Sequence, residues 1–165
     1  MPEGLTVAVA RDDDPFAWAL TLAARLRGRG ALTMFDRQSL GEFLEEWADD
    51  MLAAVRRQMV NLLAHATKVA HTRNPDVIAH WRSECTEFHD RLIAEYRPSM
   101  RDKVDMDVLW RRAQRKVFAS FDDNGEPRPQ MLTACPVGID ELIDQNLNLD
   151  RLVASISRRY PKDEL

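Results

Sequence analysis

Four carboxylates crowd one short stretch of this chain, at Glu42, Glu45, Glu46 and Asp49. Glu-x-x-Glu and Glu-x-x-Asp pairs on facing helices are the arrangement with which all-helical nucleotide pyrophosphohydrolases hold magnesium, and Glu84-x-x-Glu87-x-x-Asp90 supplies the look of a second half. The chemistry this would support is metal-dependent hydrolysis of a phosphorylated small molecule, with Glu42, Glu46 and Asp49 as the metal carboxylates. The expected register argues against it. A helical hairpin centred near Asn74 sets Glu87 level with about Val60, which leaves it on the order of 20 Å from Glu46 or Asp49 at the helical rise. Magnesium needs oxygens at about 2.1 Å. The three carboxylates also point well away from the apolar side of their own helix, so the favoured reading is a solvated acidic face, with no metal and no cofactor.

The remaining reactive side chains give weaker patterns. His65 and His71, and His80 and His89, are spaced so that no two rings share one helical face, and no Glu is followed by His three residues on, so the di-iron bundle signature is missing. Cys85 and His89 are four apart, a spacing for two ligands or a thiolate pair. Cys85, however, falls in line with Trp81 and Phe88, where a cysteine acts as a small hydrophobe. His65 reads as a hydrogen-bonded structural histidine at the edge of the core, near the level of Arg82. Basic residues gather in Arg25-Leu26-Arg27 with Arg29, and in Arg111-Arg112 with Arg115-Lys116. The first group suits a helix C-terminus; in the second, Asp107 and Arg111 are spaced as an ion pair. No glycine-rich phosphate loop is present. Catalytic residues are therefore expected to be none.

Helices must carry all of this. The run Leu40, Leu44, Trp47, Met51, Val55, Met59, Leu62, Ala66, Val69 advances in steps of four and three, the helical period. A helix over about Leu40 to Ala70 spans on the order of 50 Å. A first helix opens at Asp14-Pro15 and ends near Gly28 or Gly30. Its stripes Phe16, Leu20, Ala23 and Trp18, Leu22, Leu26 cover more than half its circumference, more than one neighbour can bury. The long helix starts from Asp36 or Ser39 as cap and ends near Arg73, with Asn74-Pro75 turning tightly into a third helix carrying Ile78, Trp81, Cys85, Phe88, Leu92 and Tyr96. A fourth is expected from about Ser99 to Ser120, with Met106, Trp110, Ala113, Val117 and Phe121. A loop from Asp122 to Thr133 follows, then a short helix near Ile139 to Asp144. A last amphipathic helix is expected over Asp150 to Arg159, with Leu149, Leu152, Val153, Ile156 and Tyr160 on one side. The first helix folds back about Leu32 onto the first half of the long one, the third covers the second half, and the fourth returns along the third.

The 165 residues suggest one domain spanning 1–165. Hydrophobic residues make up 45%, enough for a core, and the net charge of −4 argues against general nucleic-acid binding. No apolar run reaches the roughly 20 residues that cross a bilayer. Two distant cysteines suit a reducing compartment, and the opening residues lack the basic segment of a secretory signal. The final Lys162-Asp163-Glu164-Leu165 spells an endoplasmic-reticulum retention address, but it reads here as a charged tail. The expected location is the cytoplasm.

The ordered segments Phe16-Ala17-Trp18-Ala19, Leu40 through Glu45-Glu46, Leu62-Leu63-Ala64-His65 with Lys68, Trp81-Arg82, Cys135-Pro136 and Glu141-Leu142-Ile143-Asp144 resemble the bacterial family called domain of unknown function twenty-nine. The resemblance covers about 13–147; residues 148–165 look like an added C-terminal helix and tail. Members typically carry Trp straight after the lysine, where this chain has Val69. The resemblance implies an all-helical fold in a bacterial protein and no activity. The whole reads as an all-α, elongated antiparallel up-and-down bundle with one long central helix and a small C-terminal appendage. The expected function is a non-enzymatic module that self-associates or binds a protein partner, through a contact that includes Trp18, Leu22 and Leu26. It touches no membrane, and nucleic acid is not its expected partner.

Overall fold

The computed structural model describes residues 13–28 and 34–157. They form α1 (Pro15–Gly28), α2 (Met34–His71), α3 (Ile78–Glu95), α4 (Met106–Asp123), α5 (Ile139–Leu142) and α6 (Leu149–Ile156), with 3-10 turns at Pro75–Val77 and Pro98–Lys103 and no strand among the described residues. The fold is all-helical, with a long central helix and a small C-terminal one. The described chain gathers into two compact units. One holds the residues up to Ala54 together with Arg97–Lys103; the other holds Val55–Tyr96 and the described residues from Val104 onward.

In the first unit α1 starts where the sequence signals. The Asp14 carboxylate accepts from the Ala17 N–H at 3.0 Å, which caps the helix. The other Asp14 oxygen accepts from the Ser99 hydroxyl at 2.5 Å, so the 3-10 turn is tied to the α1 start. Phe16, Ala19 and Ala23 are buried, and Lys103 lies 5.8 Å over the Phe16 ring. Trp18 meets Trp47 edge to face at 6.1 Å. The Arg27 guanidinium forks onto the Glu45 carboxylate, with one bond of 2.6 Å. Gly41 is buried beneath that side chain: a Cβ there would stand 3.1 Å from Arg27 Nε. The expected turn about Leu32 lies outside the described residues. The long helix begins at Met34, so Asp36 and Ser39 sit inside it rather than capping it.

In the second unit α3 runs antiparallel to the second half of α2, pairing His65 with Glu84 and Lys68 with Trp81. Asn74 caps the connecting turn through Asp76 N–H at 3.0 Å. The helix α4 runs parallel to the second half of α2: Lys116 reaches Asn61 and, a few turns on, Glu126 reaches Thr72. It begins at Met106, not Ser99. Asp105 is extended (φ −98°, ψ 105°) and its carboxylate accepts from Val108 N–H, which starts a new helix and leaves Pro98–Lys103 as a separate turn. Leu109, Trp110, Ala113, Val117 and Phe121 form its buried face. Asn148 caps α6, which starts at Leu149, one residue ahead of the expected Asp150, and ends at Ile156 rather than Arg159. Tyr160 and the charged tail lie outside the described residues.

The expected loop from Asp122 to Thr133 acts as a strap. The carbonyl of Leu132 accepts from both Trp110 Nε1 (2.7 Å) and Gln114 Nε2 (2.8 Å), and Cys135 N–H donates to Asp107 at 2.8 Å. Gly125, at φ +67°, takes the left-handed conformation needed where the chain leaves α4.

Candidate functional site

On α2 the expected stripe holds in the second half, where Val55, Met59, Leu62 and Ala66 are buried, but not in the first, where Leu40 is exposed, Trp47 and Met51 are half-buried and only Leu44 is buried. From Gly41 to Ala54 the buried positions are Gly41, Leu44, Ala48 and Leu52, a single stripe. From Val55 onward Gln58, Met59, Val60, Leu62, Leu63, Ala64, Ala66 and Thr67 are buried as well, an arc of roughly 240° at the helical turn angle. What remains open on this second half is a narrow polar seam: Arg57, Asn61, His65 and Lys68.

That seam is closed by α3 and α4. Lys116 Nζ donates to Asn61 Oδ1 at 2.6 Å. His65 Nδ1 lies 2.9 Å from the Asn61 carbonyl, its Nε2 lies 3.0 Å from Glu84 Oε2, and its ring packs 5.0 Å from that of Phe88. The same Glu84 oxygen is 3.5 Å from Nε2 of the exposed His80. Lys68 stands 5.4 Å over the Trp81 ring. A neutral His65 carries one N–H for two oxygen acceptors; only the imidazolium satisfies both. Burial pushes its pKa down, and Lys68 and Lys116 push the same way, while the Asn61 carbonyl and Glu84 oppose them; the balance is downward. Burial also lowers the pKa of Lys68. This histidine–carboxylate pair joins two helices, so histidine spacing within one helix does not reveal it. The hairpin register about Asn74 was the signal that joins His65 to Glu84.

Neither cysteine is an activated thiol. Burial pushes the Cys85 thiol up to about 12, and burial pushes that of Cys135 to about 11. His89 is buried with Nε2 2.9 Å from the Asp144 carbonyl, so the Cys85–His89 spacing serves the core and the chain after α5. Two clefts of about 310 and 390 Å³ flank Glu126. Its carboxylate accepts from Thr72 Oγ1 and from Arg73 N–H, which fastens the strap.

The acidic residues of the first half stand elsewhere. Glu42, Glu46 and Asp49 are all exposed on α2, on the side away from Leu44 and Ala48. Among the described residues no group of three His, Cys, Asp or Glu is placed to hold a metal ion. Beside the acids lie the two large apolar side chains that the described residues leave in water: Phe43 at 62% exposure and Leu40 at 39%. Trp18, Leu22 and Leu26 are half-buried on α1, and the Trp18–Trp47 contact carries their apolar strip onto α2 beside Phe43. None of the described helices is long and apolar enough to cross a membrane.

These features define a class: an all-helical protein built on one long helix, enclosed over one half and open over the other. Residues 11–148 match the family described as Domain of unknown function DUF29, and the chain belongs to that family. It is similar to a solved alpha-helical protein of unknown function from Rhodospirillum rubrum, with 24% identity, a TM-score of 0.79, and coverage of 88% of this chain and 96% of that one. That likeness supports the fold. No curated protein matches the chain significantly.

Proposed function

We propose that this chain is a non-enzymatic helical interaction module of the bacterial cytoplasm, which meets a second copy or another protein through α1 and the first half of α2. The observation that carries the reading is the exposure of Phe43 and Leu40 on a helix whose opposite side is buried. Scattered single apolar residues are ordinary on a surface, but a continuous strip marks a contact. Here Phe43 lies one helical turn from Leu40 and from the half-buried Trp47, Trp47 meets Trp18, and Leu22 and Leu26 continue the Trp18 stripe along α1. The free thiols Cys85 and Cys135 suit a reducing compartment.

The test compares the wild-type chain with a Leu22→Ser/Leu26→Ser double variant, both checked for helix content. Light scattering over a concentration series reads self-association, and affinity capture followed by binding of the purified partner reads the alternative. Association lost in the variant supports the reading. A strict monomer at high micromolar concentration ends the self-association version, and a variant that binds as well as wild type ends the assigned face.

A further inference from the structure

We infer that the open side of α2 from Leu40 to Asp50 docks a basic amphipathic segment of another protein, which seats an apolar side chain on Leu40 and Phe43 and sets lysine or arginine against Glu42, Glu46, Asp49 and Asp50. The inference rests on the interaction reading above and names the chemistry of the partner.

Helical geometry places Phe43 in the middle of this side. Leu40 and the half-buried Trp47 lie along one flank, and Asp50, Glu46, Glu42 and Asp49 along the other, all four carboxylates exposed. Glu45 stands apart because Arg27 neutralises it. Glu42 accepts from the neutral amide of Gln38 at 2.9 Å and feels Arg27 only through space, while Arg27 bonds Glu45. Glu46, Asp49 and Asp50 have no cationic partner among the described residues. Glu42 with Glu46, and Glu46 with Asp50, are like charges four apart, an arrangement that opposes the helix carrying it. A cationic partner removes that repulsion as the apolar contact forms. A symmetric pairing of this face with itself would set acids against acids. The complement is therefore apolar in the centre, positive at the flank and helical in spacing, the groove-filling mode of helix recognition.

The probe is a synthetic amphipathic helix of Leu, Ala and Lys, titrated calorimetrically into the full chain at low and moderate salt. Its controls are the same peptide with Glu for Lys and with Gln for Leu. The expected result is binding of the Lys peptide alone, weakened by salt, and weakened about tenfold by Phe43→Ser. The double variant Glu46→Lys/Asp50→Lys should lose the Lys peptide and gain the Glu peptide, which a merely unfolded variant would not do. Equal binding of the Lys peptide to wild type and to both variants overturns the inference. So does a dimer abolished by Phe43→Ser, which gives the face to a second copy. If the Lys peptide releases no heat while association through Leu22 and Leu26 persists, this inference fails and the interaction reading stands.

Discussion

The two halves of α2 obey the same helical geometry and face opposite circumstances. Between Val55 and Thr67 the helix is buried over most of its circumference, and its polar seam is filled by Glu84 and Lys116 from the helices on either side. Between Leu40 and Ala54 there is a single buried stripe, and the other side carries an exposed phenylalanine among exposed carboxylates. The enclosed half buries its side chains over most of the circumference; the open half carries the face to which the proposed contact is assigned.

The largest expected effect breaks the enclosed half. Leu63 is fully buried, and Leu63→Ala should cost about 2–5 kcal/mol, read as a lowered urea midpoint. A loss below about 1 kcal/mol would mean that the site collapses around the gap. Next comes the strap that holds the cover in place. Trp110→Phe removes the indole donor to the Leu132 carbonyl and should cost about 1 kcal/mol; Gln114 still reaches that oxygen, so adding Gln114→Ala should cost more than the two singles together.

A smaller effect concerns the seam. His65 is held below the ordinary imidazole value of 6.5. The unfolded chain therefore takes up its proton first as pH falls. The stability contributed by the neutral ring is complete above that value and is lost as pH drops below it toward the depressed folded value. Denaturant melts from about pH 7 to about pH 5 should show this decline, and His65→Gln should flatten it. A slope untouched by His65→Gln would assign the titration to another group. The smallest effect belongs to the open half: Phe43→Ser should change stability by no more than about 0.5 kcal/mol. A loss of several times that would show Phe43 to be covered in the folded chain and would erase the contrast.

The sequence made the phase of the second half of α2 and the turn at Asn74 readable, because apolar spacing and Asn-Pro chemistry are local signals. The width of the buried arc was not readable. It depends on α3 and α4 closing from two sides, and it takes in Gln58 and Thr67, whose types point to water; Thr67 is satisfied by donating to the Leu63 carbonyl at 2.6 Å. The break before Met106 turns on the extended backbone of Asp105, one residue's conformation that the apolar stripe from Met106 onward does not announce. The strap drew its role from the bare carbonyl of Leu132, a group that every residue possesses and no motif announces. In the first half of α2 the helical period places Leu40, Trp47 and Met51 in the core stripe, yet Leu40 is exposed and the other two are half-buried, because the buried stripe there is narrow and runs through Gly41, Leu44, Ala48 and Leu52.

The bond between Trp110 and the strap gives the molecule a built-in optical gauge. An indole that is 1% exposed and donates to a carbonyl emits in a dry, fixed setting. Detachment of residues 124–138 would let water reach that ring and shift its emission to the red. In a chain keeping Trp110 alone of the four tryptophans, loosening of this one loop becomes visible ahead of global unfolding.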